Sequence, residues 1–464
     1  MTERPPHGMR AGNRTPEDAK PRRTAPDAQA DRLMTGGRAI VEALIANRVE
    51  AVFGLPGAQM YALFDALQQR SDRIRTYGAR HEQTCGYMAL GYARSTGRPG
   101  VYVVVPGPGV LNTTAALLTA YGTCSPVLCL TGQVPAPFVE RGRGHLHELA
   151  DQLGTLRSMT KWSARIERPA DAPALVNEAF RQMLSGRPGP VVLEMAWDVM
   201  GSTGEVEILP PAERPTPLQP AAVEIEAAAS LIAAARRPMI FTGSGAQHAS
   251  AEIRALAREI DAPVVAFRGG RGVMGEDDPL GISSYAGFEL WPETDVAIAI
   301  GTRAELPYMR WTDMMTLIDK PTAPPHLVRI DINPVEMRRL VAHAGIVADA
   351  AVGTAALTAA VCAKRQGATN AGEAARTERR ARIAEVKSLA RRKIETVQPQ
   401  LDYLDQIRAA LPREGIIVTE LCQAGFTSYF GYPVLEPRTY ITEGYQGTLG
   451  FGFPTALGVK AAHP

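Results

Sequence analysis

One carboxylate stands out by its place in the sequence. Glu82 follows shortly after the segment IRTYGA, which is typical of a strand, and begins a helix whose body is small and apolar. A carboxylate at a helix N-terminus ordinarily caps the first turn or interacts with the helix dipole. The functional alternative is a partly buried acid with a raised pKa that exchanges a proton with a bound heterocycle. The residue types alone leave both interpretations open.

Glycine clusters follow several predicted strands, at residues 54–57, 106–109, 132–133 and 243–245. In open α/β sheets, ligands bind outside the carboxyl ends of the strands, but tight strand-to-helix turns also need glycine for backbone reasons. The cluster at 243–245 lacks the third glycine of the dinucleotide fingerprint and an acidic residue about 20 residues later. A dinucleotide-binding dehydrogenase is therefore disfavoured.

A polar cluster lies in the segment RGRGHLHELADQ, which contains His145, His147 and Glu148. A His-x-His pair on a loop with no third ligand nearby faces solvent or substrate more often than it binds zinc. The chain also lacks the H-E-x-x-H, G-x-S-x-G and P-loop signatures. We therefore predict no metal ligands among these residues.

Short β-branched strands alternate with helices from Thr35 onward. Strands such as GVYVVV and PVLCLTG are apolar on both faces, which is typical of parallel strands covered by helices on both sides. We therefore predict the α/β class, with successive doubly wound parallel-sheet domains. The predicted boundaries are a disordered segment at 1–33, a first domain at 34–200, a linker at 201–220, a central domain at 221–364, a charged helical connector at 365–400 and an incomplete third domain at 401–464.

Composition and charge exclude several classes of protein. The 464 residues are 45% hydrophobic and 21% charged, with a formal net charge of +2, so neither nucleic acid nor an anionic membrane is expected as a partner. The N-terminus has no apolar region of a secretory signal, and no run reaches the ~18 apolar residues of a spanning helix. Five scattered cysteines favour reduced thiols and a cytoplasmic location.

Several motifs occur in the order found in one enzyme family. The first domain carries VFGLPGAQMYALFDAL, RHEQTCGYMALGYARSTG and VPGPGVLNTTAALLTAYGTCSPVLCLTGQVP; the central domain carries GRGVMGEDDPLG and HLVRIDINPVEM; the third domain carries VTELCQAGF and ITEGYQGTLGFGFPTALGVKAAHP. From about residue 34 to residue 464, the chain resembles thiamine-diphosphate-dependent enzymes of the acetolactate synthase type. The resemblance implies a pyrimidine-binding domain, a central domain and the start of a diphosphate-binding domain.

The resemblance also implies roles for individual residues. Glu82 matches the family's cofactor-activating glutamate, which hydrogen-bonds a pyrimidine ring nitrogen so that the exocyclic nitrogen accepts the thiazolium proton. Leu449 matches the bulky apolar residue that holds the cofactor bent, and the backbone of Gly447 and Leu449 matches groups that bind the pyrimidine edge. The other positions implied are, for cofactor binding, Gly57, Gly107, Asn112, Gln423 and Thr448, and, on the substrate side, Gln133, His147 and Glu148.

Departures from the family pattern leave the substrate and one cofactor open. His147 stands where acetolactate synthases have glutamine, Leu146 where they have phenylalanine, and Tyr87 where they often have histidine. In the central domain, Arg303 matches the first residue of the FAD-binding motif, but the Phe-Asp-Asp-Arg that follows in the family is replaced. This replacement argues against FAD.

The largest departure from the family pattern concerns the Mg²⁺ ligands, which this sequence does not contain. The family's Gly-Asp-Gly segment, whose aspartate and a downstream asparagine ligate magnesium, is expected after residue 464, and oxygen-ligated Mg²⁺ bridges phosphates to the protein. The sequence therefore predicts little or no activity from this polypeptide alone. A non-catalytic subunit that pairs with a full-length one, and donates Glu82 to it, is the alternative of another class.

The leading hypothesis is an enzyme that decarboxylates a 2-oxo acid and transfers the resulting carbanion to a second carbonyl. Formation of acetolactate from pyruvate is the default reaction, and a simple 2-oxo acid decarboxylase or another thiamine-diphosphate lyase is the alternative. The resemblance implies a homo-oligomer in which the pyrimidine domain of one subunit and the diphosphate domain of another share the active site.

Overall fold

The structure, a computed structural model, describes residues 32–307, 326–365 and 370–464. Most of the predicted disordered segment at 1–33, and the residues 308–311 that follow Arg303 in the compared motif, lie outside these ranges. Within the described ranges, no helix combines the length and the apolar character needed to cross a membrane.

Six parallel strands separated by helices form a first sheet. The strands are β2 (Ala51–Gly54), β3 (Arg75–Gly78), β4 (Gly100–Val104), β5 (Val127–Gln133), β6 (Trp162–Ile166) and β7 (Val191–Ala196), in the order β3-β2-β4-β5-β7-β6. Every residue of β4, β5 and β7 is buried, because helices cover both faces of the sheet. The helices are α1 (Gly36–Ala46), α2 (Tyr61–Gln69), α3 (Glu82–Thr96), α4 (Pro108–Leu111), α5 (Thr114–Gly122), α6 (Gln152–Arg157), α7 (Ala172–Leu184) and α8 (Trp197–Gly201).

A short antiparallel pair closes this unit. Strand β1 (Leu33–Thr35) pairs with β8 (Thr203–Glu205), so β8 lies inside the segment predicted as a linker. The β8 residues are not apolar enough to predict a strand, and their pairing with β1 supplies the structure. Two segments distant in sequence meet here, which a local pattern does not reveal.

A second sheet of six parallel strands forms the central unit. Its strands are β9 (Pro238–Thr242), β10 (Val264–Ala266), β11 (Gly281–Ile282), β12 (Val296–Ile300), β13 (His326–Asp331) and β14 (Ala344–Val347), in the order β11-β10-β9-β12-β13-β14. The helices are α9 (Ala222–Ala234), α10 (Ser250–Ile260), α11 (Ser284–Leu290), α12 (Pro334–Arg339) and α13 (Ala350–Arg365). Two doubly wound parallel sheets confirm the predicted fold class.

The charged stretch forms α14 (Asn370–Ile394) and packs on the central unit. Most of its described charged side chains are exposed or half-buried, as the sequence indicates, but Ile383, Val386 and Ala390 are buried in the central core. Asp261, which is 1% exposed, accepts from Arg376 and Arg380 at 2.6 Å each. The helix is therefore docked by an apolar stripe and by ion pairs rather than being a free connector.

The third unit is short and packs on the other two. Within residues 400–464, all of which are described, it comprises α15 (Gln400–Ala410), β15 (Ile417–Val418), α16 (Gln423–Gly431), β16 (Tyr440–Ile441) and α17 (Gly452–Ala462), whereas the sequence indicated one strand and about two helices. The buried Arg271 of the central unit donates to the carbonyl oxygens of Ser428, at 2.6 Å, and Tyr432. This unit therefore depends on its neighbours for burial.

Helices α3 and α17 approach unusually closely. A Cβ added to Gly91 would lie 2.1 Å from the carbonyl oxygen of Thr455, and one added to Gly458 would lie 2.0 Å from that of Met88. Later residues of α17 thus meet earlier residues of α3, so the two helices run antiparallel. Only glycine allows the backbones this close.

We expect Gly458→Ala to destabilise the protein. Alanine normally stabilises a helix interior by about 0.5–1 kcal/mol relative to glycine, but here its Cβ would overlap the Met88 carbonyl oxygen, and overpacking costs about 1–3 kcal/mol. The measurement is the midpoint of urea-induced unfolding. Gly201→Ala is the control, because a Cβ there meets nothing within 4 Å. A Gly458→Ala variant at least as stable as the wild type would contradict the close packing.

Candidate active site

Glu82 is the first residue of α3, at the carboxyl end of β3. The helix is capped by His81, whose Nδ1 accepts from the backbone N–H of Gln83 at 3.2 Å. Glu82 is half-buried, and its Oε2 accepts from the side-chain amide of Asn112 at 3.0 Å. His81 thus makes the capping hydrogen bond, and the Glu82 carboxylate is held by another element. Capping by Glu82 therefore does not occur, whereas an interaction with the helix dipole and the proton-exchange role both stay open, because Glu82 lies in the first turn of α3.

Two predicted cofactor-binding glycines lie at the carboxyl ends of neighbouring strands. Gly57 follows β2, and Gly107 follows β4, which pairs with β2. A Cβ on Gly57 would lie 2.6 Å from Val105 Cγ1, and one on Gly107, whose φ is +59°, would lie 2.4 Å from the His147 carbonyl oxygen. The connections from β2 and β4 diverge here to opposite sides of the sheet, and open α/β sheets bind ligands at such a switch point.

The loop that carries His147 is held in place by the buried side chain of Gln59. His147 Nδ1 lies 2.9 Å from the side-chain oxygen of the buried Gln59, and the Gln59 amide donates to the Leu146 carbonyl oxygen at 2.7 Å. The loop therefore depends on Gln59 for its position beside the Gly107 turn. Gln59 follows the Gly57 turn and is 2% exposed.

The Glu148 carboxylate accepts hydrogen bonds from three backbone N–H groups of its loop, those of Arg143 at 3.2 Å, Gly144 at 2.6 Å and His145 at 3.0 Å. These bonds lower the pKa of the Glu148 carboxyl, and the bond from the His145 N–H has the largest effect. The restraint is therefore present at neutral pH and is lost as the pH falls through the lowered pKa. The predicted place of Glu148 on the substrate side stays a prediction. The three backbone hydrogen bonds hold its loop in shape.

Gln133 is buried at the end of β5 rather than open to a cleft. It is 2% exposed, its Oε1 accepts from the Val134 N–H at 2.9 Å, and its amide lies 3.4 Å from Glu194 Oε2. Glu194, on β7, is fully buried, and Arg165 donates to it at 2.6 Å. Burial raises the pKa of the Glu194 carboxyl, and the hydrogen bond from Arg165 opposes that rise.

The predicted residues of the third unit lie on the turn before α17 and at the start of α16. Gly447 has φ +59°, the Thr448 hydroxyl lies 2.8 Å from that of Thr119, and Leu449 is 72% exposed. Gln423 is exposed, and its side-chain oxygen accepts from the amide of Gln400 at 2.6 Å. The turn is thus fixed on α5 with its leucine uncovered.

Glu82 and Leu449 lie at opposite ends of the α3–α17 pair. Gly91 is level with Thr455, Glu82 lies nine residues earlier on α3, and α17 begins three residues before Thr455. Because the helices are antiparallel, these offsets add, and at 1.5 Å per residue they place Glu82 at least about 18 Å from the turn that carries Leu449. The structure does not bring the two residues together within one chain.

Arg303 lines a cavity of about 370 Å³ where the three units meet. Its guanidinium lies 3.6 Å from a Glu336 carboxylate oxygen and 4.5 Å from the centre of the Tyr445 ring. The residues that would decide FAD binding continue into the undescribed segment, so the prediction against FAD stays a prediction. Among the described residues, no group of three or more His, Cys, Asp or Glu side chains is placed to hold a metal ion.

Comparisons with known proteins match all three units. Residues 34–155 match the thiamine pyrophosphate enzyme N-terminal TPP binding domain, residues 225–359 the thiamine pyrophosphate enzyme central domain, and residues 422–464 the thiamine pyrophosphate enzyme C-terminal TPP binding domain. The chain belongs to the thiamine pyrophosphate enzyme family. The resemblance inferred from the motifs is therefore confirmed, and thiamine diphosphate is the cofactor of these domains.

Several relatives of this thiamine pyrophosphate enzyme extend along most of the chain. It is 32% identical to a probable 2-ketoarginine decarboxylase, AruI, of Pseudomonas aeruginosa, over 94% of this chain and 76% of that protein. It is 34% identical to a probable acetolactate synthase large subunit of Methanocaldococcus jannaschii, over 93% and 74%, and 30% identical to the acetolactate synthase isozyme 1 large subunit of Escherichia coli, over 93% and 75%. The chain is therefore an enzyme of the thiamine-diphosphate-dependent transferases or lyases.

Sequence reasoning missed three buried polar residues that hold the predicted ones. They are Gln59, Gln152 and Glu194. A signal existed for Glu194, since a charged residue inside the apolar run VVLEMA must find buried partners. No local pattern marks the two glutamines, because their backbone and side-chain partners are distant in sequence.

We expect Glu148→Gln to loosen the loop around His147. The substitution removes the charge that holds three backbone N–H groups, so the loop should open more often and trypsin should cleave after Arg141 and Arg143 several-fold faster. The measurement is limited proteolysis followed by mass spectrometry. Glu207→Gln, at an exposed carboxylate, is the control. Unchanged cleavage in Glu148→Gln would show that the carboxylate does not order the loop.

Proposed function

We propose that this thiamine pyrophosphate enzyme decarboxylates a 2-oxo acid and joins the product carbanion to a second carbonyl, with pyruvate to 2-acetolactate as the reaction. The observation that carries the proposal is the half-buried Glu82 carboxylate, held by Asn112 at the carboxyl end of the first sheet. The acetolactate synthase relatives support the reaction type. The substrate is a small molecule, and the free cysteines suit a reducing compartment such as the cytoplasm.

The residues present suit the pyrimidine half of thiamine diphosphate. When bound, the cofactor would supply a nucleophilic carbon and an electron sink for decarboxylation. Glu82 would accept the hydrogen bond of a protonated pyrimidine nitrogen, with Asn112 fixing the carboxylate. The backbone of Gly447 and Leu449 would hold the pyrimidine edge, and the exposed Leu449 side chain would support the bend. Mg²⁺ with the diphosphate is part of the same proposal.

The separation of Glu82 from Leu449 supports a site built by two copies of the chain. A single pyrimidine ring spans far less than the distance of about 18 Å between the two ends of the α3–α17 pair. Leu449 and Phe453 are 72% and 77% exposed, and Leu457 follows on the same face of α17. Exposed apolar clusters of this kind mark protein interfaces, and a twofold axis would place Leu449 of one copy beside Glu82 of the other.

A simple 2-oxo acid decarboxylase is the second candidate. It is favoured by the probable 2-ketoarginine decarboxylase among the relatives and by His147 and Leu146, which depart from the acetolactate synthase pattern. A product assay separates the two reactions. With pyruvate, a synthase yields acetolactate and a decarboxylase yields acetaldehyde.

In a chain that also carries the family's Mg²⁺ ligands, we expect Glu82→Gln to abolish most of the turnover while leaving cofactor binding nearly intact. The amide cannot stabilise a protonated pyrimidine nitrogen, and loss of such proton transfer lowers rates roughly 10²–10⁴-fold. Product formation and calorimetric binding of thiamine diphosphate with Mg²⁺ are the two measurements. Glu50→Gln, at an exposed carboxylate of the same domain, is the control. Equal turnover in Glu82→Gln would count against the proposal.

We expect mixed copies to restore activity. Glu82→Gln and Leu449→Ala are each expected to be strongly impaired, because each damages both sites of a symmetric dimer. Random pairing makes half of the dimers mixed, and each mixed dimer holds one intact site of two, so an equal mixture should recover about one quarter of the wild-type rate. The rate is measured after the two variants have been unfolded and refolded together. A mixture no more active than its components would argue for sites within single chains.

A further inference from the structure

A buried side-chain network joins the carboxyl ends of four strands of the first sheet. At its centre, Glu194 accepts from Arg165 Nε at 2.6 Å, from Gln152 Nε2 at 2.7 Å and from Gln133 Nε2 at 3.4 Å. Gln152, which is 1% exposed, accepts from the backbone N–H of Gly107 at 2.9 Å through its Oε1. The network thus extends from a buried carboxylate to the turn after β4.

The amide orientation of Gln152 is fixed by its surroundings. Its Nε2 donates both to Glu194 and to the Gly132 carbonyl oxygen at 3.0 Å. Both groups only accept, so the nitrogen must face them and the oxygen must face the Gly107 N–H. Every hydrogen bond of this side chain is therefore specified, and an apolar replacement would leave the Gly107 N–H, the Gly132 carbonyl oxygen and one Glu194 oxygen without this partner.

The Gly107 turn leads directly to the partner of Glu82. The Gly107 carbonyl oxygen accepts from the Leu111 N–H at 3.0 Å, the first hydrogen bond of α4. This helix has a single turn and ends at Leu111. Asn112 is its C-cap, and the Asn112 N–H donates to the Pro108 carbonyl oxygen at 3.0 Å. Gly107 has φ +59° and packs against the His147 backbone. Because α4 starts from this turn and has only one turn of its own, the orientation of the Gly107 turn sets the position of Asn112 at the other end of the helix.

We propose that Gln152 is a positioning residue for cofactor activation: it fixes the Gly107 turn, which through α4 places Asn112 on the Glu82 carboxylate. The inference rests on the proposed function, because it assigns Glu82 its role. Gln152 does not contact the cofactor or the substrate. Glu194, held by Arg165, anchors Gln152 and gives the network its rigidity.

The first test measures the turn without the cofactor. Gln152→Met has a similar size but makes none of the three hydrogen bonds, so backbone amides of residues 107–113 should exchange with deuterium faster, by mass spectrometry, than in the wild type. Gln182→Met is the matched control, since Gln182 lies on α7 of the same domain and bonds only Glu178 in the described hydrogen bonds. Equal protection of residues 107–113 in Gln152→Met and the wild type would overturn the proposal.

The second test measures activation of the bound cofactor in a chain that also carries the family's Mg²⁺ ligands. The quantity is the rate at which the thiazolium C2 hydrogen exchanges with deuterium, followed by NMR at saturating thiamine diphosphate and Mg²⁺. We expect Gln152→Met to slow this exchange roughly 10–100-fold, because small misplacements at a distance have effects of that size. Glu82→Gln is measured alongside. If Glu82→Gln exchanges at the wild-type rate, the proposed function fails. If only Gln152→Met does so, the positioning role fails and the proposed function stands.

A swapped pair of side chains covers the case in which Gln152→Met does not fold. Gln152→Glu alone places two carboxylates in contact. Gln152→Glu with Glu194→Gln restores the bond between the two side chains and the acceptor for the Gly107 N–H, and it loses the bond to the Gly132 carbonyl oxygen and the long bond from Gln133. The double variant should therefore recover protection of residues 107–113 and C2 exchange relative to Gln152→Glu. No recovery in the double variant would overturn the proposal.

Discussion

The close packing of α3 against α17 is the constraint on which the rest of the arrangement depends. Gly91 and Gly458 let the two backbones touch, and this contact fixes the third unit on the first. Because the helices run antiparallel, the contact also sends Glu82 and Leu449 to opposite ends of the pair. A chain that must bring these two residues to one cofactor can then do so only by pairing with another copy.

Around that frame, the carboxyl edge of the first sheet is built from turns that are held by buried polar side chains. Gln59 holds the loop of His147, and Gln152 holds the Gly107 turn. Both glutamines are almost fully buried, so their hydrogen bonds are shielded from water and each missing bond would carry the full desolvation cost of its partner. The polar groups that the family resemblance identifies are thus positioned by others that it does not identify.

The sequence predicted the two doubly wound sheets, because runs such as GVYVVV are apolar on both faces, which is typical of parallel strands covered by helices on both sides. It also predicted Glu82 and Asn112 as site residues, and the structure places them 3.0 Å apart. It did not predict the pairing of β1 with β8 or the docking of α14, since both depend on contacts between distant segments. It also did not predict that the Glu148 carboxylate binds three backbone N–H groups of its own loop, because that loop has no periodic pattern.

If two copies of the chain build the site as proposed, Glu82 of one copy and Leu449 of the other meet at one cofactor. The most direct measurement is a crystal structure of the chain with thiamine diphosphate and Mg²⁺. We expect a Glu82 carboxylate oxygen within about 3 Å of a pyrimidine ring nitrogen, with the same ring against Leu449 of the neighbouring copy. A Glu82 side chain directed into bulk solvent, or a ring enclosed by one chain alone, would contradict it.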